Sequence, residues 1–166
     1  LPVKSASFKR GYPISKVELF NPLEIMKLIR PYVERDLEEL IAVWLASSQF
    51  AHPFLGEAFH KEGPAMIRDV YMPNAETCVY EQDGKVVGFL SLLDNEVGAV
   101  FVQPAHHGQG IGRSLLDHAQ TIRPTLFLEV FRENQRSVNF YLNYGFTAVS
   151  ERPHESLGNV LIRMEL

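Results

Sequence analysis

The run VFVQPAHHGQGIGRSLLDHA, residues 100–119, decides the fold. An apolar strand ends at Pro104, glycines stand at 108, 110 and 112, and the following residues read as a helix over Gly110 to Thr121. This is the grammar of an anion site. The first N–H groups of a helix lack an internal partner and carry partial positive charge, and glycines let the backbone wrap closely around phosphate oxygens. Arg113, in the first turn, adds a charged group. A loop that needs positive φ only to turn would use the same glycines, so the run alone leaves phosphate binding and simple turning both open.

Upstream, Lys27 to Val33 reads as a strand, and Leu37, Leu40, Ile41, Trp44 and Leu45 follow the apolar stripe of an amphipathic helix, with Asp36 as its N-cap and Glu39 completing a capping box. The segment FAHPFLGEAFHKEGPAMIRDVYM is interrupted by Pro53, Gly56, Gly63 and Pro64, so regular helix is expected only from Pro64 to Tyr71. It is placed as one wall of a cleft. ETCVYEQ, a turn at Asp83-Gly84, and KVVGFLSLL form a hairpin, and Glu96 to Val102 is the next strand. Downstream, TLFLEVF reads as a buried strand, Gln135 to Tyr144 as a helix stopped by Gly145, and Phe146 to Arg152 and Asn159 to Leu166 as closing strands. The order predicts one α/β domain over residues 26–166, with a parallel crossover from Glu96 to Phe131 inside a mainly antiparallel sheet.

Composition narrows the function classes. The chain has 166 residues, 46% apolar and 22% charged, as a soluble domain does. Residues 1–25 carry four basic and two acidic side chains and no clear period, and read as a leader without an export signal. The rest carries 12 basic against 18 acidic residues, which argues against nucleic acid as a partner. No run is long enough for a membrane span, and Cys78 is alone, so no disulfide framework or cysteine metal cluster is expected. A cytoplasmic protein is expected. The six histidines assemble no metal-binding spacing: His106 and His107 adjoin in a loop, and His118 lies on a helix.

Two phosphate-binding grammars compete for the glycine run. A Walker loop ends Gly-Lys-Ser/Thr, whereas this run reads Gly-Arg-Ser. A dinucleotide fingerprint needs a third glycine where Arg113 stands, although Glu129 does lie about 20 residues further on a strand. Too little chain follows Glu129 for the rest of a doubly wound sheet.

The segment His107, Gly108, Gln109, Gly110, Ile111, Gly112 resembles the acyl-CoA loop of the GNAT acetyltransferases, with His107 in the place of the usual Arg or Gln. A second run, LEVFRENQRSVNFYLNYGF, is similar to the family's later element: a strand, an Asn, a helix carrying Tyr, then Gly-Phe. WLASSQFAHPF, VYEQDGKVVGF and NFYLNYGF resemble the small YiaC-type bacterial branch, whose members are associated with acetylation of protein lysine. The resemblance implies the GNAT acyl-CoA N-acyltransferase fold, a mixed sheet with a splayed parallel strand pair between flanking helices. It implies acetyl-CoA as cosubstrate and an amine acceptor that is a small molecule, a protein lysine or an N-terminus; no metal is expected from the histidine spacing, and a monomer or homodimer is expected. By position, the backbone of Phe101 and Val102 would meet the pantetheine, residues 107–113 (His107, Gly108, Gln109, Gly110, Ile111, Gly112 and Arg113) the pyrophosphate, and Asn134 the coenzyme beside the parted strands. Tyr141 would be the general acid. A phenol of pKa about 10 holds its proton at neutral pH, as a departing thiolate requires; the other reading packs Tyr141 with Val138 and Leu142 on a helix face.

An alkylammonium of pKa about 10.4 must lose a proton before it attacks. Glu129, flanked by apolar residues and twelve before Tyr141, is the first candidate base; the alternative is a buried ion pair with Arg132 or Arg136. Glu96, at the start of EVGAVFV, is the second. His52 and Glu57 are placed near the acceptor by position alone, and the alternation of ETCVYEQ makes Cys78 an inert core thiol rather than an acetyl carrier.

Overall fold

A computed structural model describes residues 28–166; the expected leader and Lys27 lie outside the described residues. Among the described residues seven strands form one sheet: β1 Ile29–Pro31, β2 Glu76–Gln82, β3 Lys85–Leu93, β4 Glu96–Val102, β5 Phe127–Phe131, β6 Thr147–Pro153 and β7 Val160–Glu165, in the order β1-β2-β3-β4-β5-β7-β6. All neighbours are antiparallel except β4 and β5. Helices α1 Leu37–Ala51, α2 Glu57–Met66, α3 Ile111–Ile122 and α4 Gln135–Tyr144 cover the faces. The expected mixed, mostly antiparallel α/β architecture is therefore the one observed.

Alternation along the strands sorts the core into two clusters. Leu40, Ile41 and Trp44 of α1 pack with Val79, Val86 and Phe89 on one face. Leu115 and Leu116 of α3 and Val138 and Tyr141 of α4 pack with Leu90, Leu92, Leu128 and Val130 on the other. The β2–β3 turn has positive φ at Asp83 (53°) and Gly84 (74°), which matches the right-handed strand twist and fixes the hairpin register.

Two local expectations need correction. Asp36 does not cap α1 through its side chain: a 3-10 turn, Glu34–Asp36, runs directly into the helix, so the Asp36 carboxylate accepts from the Val33 N–H at 2.9 Å and from Arg30 at 2.6 and 3.0 Å. Glu39 closes no box; it accepts the Val86 N–H at 2.8 Å and ties α1 to β3. Regular helix also begins at Glu57 rather than Pro64, so Pro64 lies inside α2. Proline there removes one internal donor. The chain then widens into a π turn, Ile67–Tyr71, closed by the Met72 N–H on the Ile67 carbonyl at 2.9 Å. Gly63 permits this packing: a Cβ there would lie 1.9 Å from the Trp44 indole.

Candidate active site

The site is built from backbone that the sheet leaves unpaired. On β4, register with β3 pairs Phe89 with Phe101, and the Gln103 N–H donates to the Val87 carbonyl at 2.8 Å. Antiparallel alternation then turns the peptide groups of Phe101 to β3 and those of Val100 and Val102 toward β5. On β5, the Leu166 N–H donates to Leu126 and the Arg132 N–H to Val160, both at 2.9 Å, so the even positions serve β7 and Glu129 and Phe131 face β4. The β4–β5 ladder contains a single pair, Glu96 with Phe127, beside a 3.0 Å bond from the Phe127 N–H to the Asn95 carbonyl. Beyond it no further pair joins the two strands, and the peptide groups of Val100 and Val102 face those of Glu129 and Phe131 across an unbridged gap.

A bulge lies in β4 close to this lone pair. Leu92 pairs with Val97 and Ser91 with Ala99, leaving Gly98 as the extra residue in β4. The Val102 carbonyl, facing the gap, accepts from Ser47 Oγ at 2.8 Å and from His107 Nε2 at 2.7 Å. A carbonyl only accepts, so His107 carries its proton on Nε2 in this contact. His107 thus braces the end of β4, and its ring lies edge-on to Phe50.

After β4 the loop turns through Gly108 (φ 80°) and Gly110 (φ 81°), where a Cβ would find open space, and Gly110 is the N-cap of α3. Residues 108–110 are exposed, and the N–H groups of Ile111, Gly112 and Arg113 lead the helix without an internal acceptor. Such a row of N–H groups at a helix start has the polarity to hold anionic oxygens. Gly112 serves helix packing instead, since a Cβ there would stand 3.2 Å from Phe140, and its absence lets α4 approach α3. The Arg113 guanidinium stacks over the Tyr144 ring at 5.2 Å.

The candidate proton-transfer groups divide between the two sheet faces. Tyr141, 9% exposed, packs in the α3–α4 cluster between Phe140 and Phe146, and its phenol has no hydrogen-bond partner among the described residues. Burial pushes its pKa up, so the phenol keeps its proton. Glu129 alternates to the opposite face. Its partner there is Arg152, not Arg132 or Arg136, in a bidentate pair at 2.7 and 2.5 Å. Glu96 shares that face and has no ion-pair partner among the described residues. Burial first, then the neighbouring Glu129 charge, raises its pKa, against the opposing pull of Arg163 and Arg152.

His52, one residue past α1, reaches the open end of the gap, whereas Glu57 is exposed at the start of α2. The His52 ring lies 6.3 Å from Phe101 and 5.5 Å from Phe131, one aromatic side chain from each of the two parted strands. Its Nδ1 is 3.3 Å from Ser48 Oγ and its Nε2 3.3 Å from Asn134 Nδ2. Asn134 is 6% exposed and caps α4 by accepting the Ser137 N–H through Oδ1 at 3.2 Å. A cavity of about 250 Å³ opens beside them between Phe50, Pro53, Phe54, Glu133 and Arg136. Ser47 and Val100 are the positions that sequence reasoning missed. The signal for Ser47 was a hydroxyl on the apolar stripe of α1; Val100 needed the strand register. Cys78 is buried, and desolvation pushes its thiol up to about 11, as an inert core thiol requires.

The acetyltransferase (GNAT) domain family matches residues 73–148. Peptidyl-lysine N-acetyltransferase YiaC of Escherichia coli (strain K12) is 36% identical over 123 residues, covering 74% of this chain and 84% of the relative. Peptidyl-lysine N-acetyltransferase YjaB of Salmonella typhimurium is also 36% identical over 123 residues, covering 73% and 83%. Among solved structures, apo-form YjaB from Escherichia coli superposes with a TM-score of 0.75 at 28% identity, over 82% of this chain and 95% of that one. The PaiA N-acetyltransferase of Thermoplasma acidophilum, solved with coenzyme A, shares the fold with a TM-score of 0.66 at 20% identity, over 81% and 96%.

Proposed function

Because the chain belongs to the GNAT acetyltransferases and is an N-acetyltransferase, acting on an amine, we propose that its β4–β5 gap takes acetyl-CoA and that its acceptor is a protein lysine. The single observation that carries the site assignment is the ladder that stops at Glu96 and Phe127 beside a glycine-lined helix start. An amide-bearing arm lying between β4 and β5 would meet peptide groups of Val100, Val102, Glu129 and Phe131. A diphosphate would lie on the N–H groups of residues 108–113. Asn134 stands at the edge of that path.

In this reading the amine arrives on the face that carries Glu96 and Glu129, opposite Tyr141. Proton removal falls to Glu96, directly or through water, because its carboxylate is unpaired and holds a proton more tightly than an ordinary glutamate. Glu129, clamped by Arg152, keeps its carboxylate next to that of Glu96 and helps to raise the Glu96 pKa. The freed amine attacks the thioester carbonyl, the C–S bond breaks as Tyr141 gives its proton to the departing sulfur, and the second proton lost from the nitrogen restores the phenol through solvent. Glu129 itself as the base is the second reading, favoured by its place on β5 facing the gap.

The relatives' names support lysine as acceptor, and the acidic balance of residues 26–166 suits a cation. Action in a bacterial cytoplasm belongs to the same proposal, since both relatives are bacterial and no helix among the described residues is long and apolar enough to cross a membrane. The test is acetyl-CoA turnover against internal-lysine peptides, peptides with a free N-terminus, free amino acids and polyamines, with the product sited by mass spectrometry. Acetylation at lysine Nζ is expected. Preference for an α-amine or a polyamine would overturn the acceptor, and no turnover with any amine would overturn the site.

A further inference from the structure

The contact between His52 and Asn134 fixes more than a distance. Asn134 Oδ1 must face the Ser137 N–H, because only the oxygen accepts, so the amide turns its NH₂ group to His52. The imidazole nitrogen that meets an NH₂ donor has to present a lone pair, so Nε2 at 3.3 Å is the acceptor. The ring proton of the neutral imidazole then sits on Nδ1 and is donated to Ser48 Oγ at 3.3 Å. The helix cap of α4 therefore dictates the tautomer of a histidine that follows α1.

The ring also sits where the sheet needs material. Phe101 and Phe131 stand on strands whose ladder has ended, and no backbone bond holds them at a set separation. His52 touches both, with Phe54 packing on His52 at 5.8 Å and on Phe131 at 5.7 Å. Desolvation pushes the imidazole down to about 4, the nearby His60 adding to the effect, in keeping with a neutral ring.

We propose that His52 is a positioning residue for the coenzyme site, a strut that spans Phe101 and Phe131 on one face of the gap and, as the Nδ1–H tautomer, locks the Asn134 amide at its edge. It moves no proton in the reaction. Its contribution is to the shape of the unliganded gap and the direction of one amide, so its loss weakens capture of the coenzyme rather than the chemical step. This inference rests on the gap being the coenzyme site.

Two measurements test it separately from that reading. Nitrogen-15 NMR of the imidazole in the ligand-free protein is expected to show the Nδ1–H tautomer; an Nε2–H tautomer overturns the proposal whatever binds in the gap. Calorimetry with coenzyme A and steady-state kinetics then compare His52→Phe, which keeps a ring without an acceptor, with His52→Gln, which restores an acceptor near Nε2. His52→Phe is expected to bind coenzyme A about fivefold more weakly, the worth of one net hydrogen bond, and to raise KM for acetyl-CoA with kcat and the acceptor KM little changed. His52→Gln recovers part of that loss. Wild-type affinity in His52→Phe overturns the lock on Asn134, and a loss confined to kcat overturns the positioning role. Failure of the unsubstituted protein to bind coenzyme A defeats the gap assignment instead. Should either variant unfold, the tautomer in the unsubstituted protein decides.

Discussion

Glu96 and Glu129 lie within electrostatic reach on one sheet face, but their surroundings differ. Glu129 is held by both guanidinium contacts of Arg152, whereas Glu96 is partly desolvated and faces a like charge. A carboxyl raised in this way is protonated at higher pH than usual, so its base form disappears as pH falls through a value above the ordinary glutamate range. Glu96→Gln is expected to lower kcat/KM by about a hundredfold and to remove the acidic limb of the pH–rate profile, while Glu129→Gln keeps that limb. The same shift sets the sign for stability. A glutamate whose folded pKa is raised stabilises the fold below its unfolded pKa, and that contribution is lost as pH rises through the folded value. Glu96→Gln should therefore hold or raise the melting temperature at pH 7. A fall in melting temperature, or an unchanged limb, would return the role to Glu129 or to water.

At the scale of elements, α2 shows what a tertiary contact adds to local preference. Gly63 and Pro64 both disfavour helix interiors, yet both lie in one, because Gly63 lets α2 press onto the Trp44 indole. Gly63→Ala improves local helix propensity and should still destabilise the protein by about 1–3 kcal/mol, read as a lower melting temperature in calorimetry. A neutral or stabilising effect would mean that Trp44 moves aside freely. This contact explains why α2 was illegible in sequence, where the only visible signals were the two breakers. By contrast, the Asp83-Gly84 hairpin and the limits of α4 between Asn134 and Gly145 depend on local chemistry and were legible to the residue. The site divides in the same way. Glycine spacing marked the exposed helix start proposed for the diphosphate, but which peptide groups face the gap depends on register, and the partner of Glu129 comes from β6, 23 residues downstream.

At the scale of the molecule, a ligand between β4 and β5 would join two parts of the sheet that otherwise share one backbone pair. Binding only to the folded state raises stability by mass action, by about 2.7 kcal/mol at a hundred times Kd. Saturating coenzyme A should lift the melting temperature by several degrees in a thermal-shift assay, and NAD should not. A shift with NAD and none with coenzyme A would reverse the choice between the two glycine-loop grammars.

The lone rung at Glu96 and Phe127 has a mechanical consequence. Strands β1 to β4 form one plate and β5 to β7 another, pinned at a corner and otherwise kept in alignment by interlocking oily side chains such as Leu92, Leu115, Leu128 and Val138. The angle between the plates is thus governed by how those chains fill space, so trimming a methyl group far from the chemistry would change the width of the mouth before it threatened the fold.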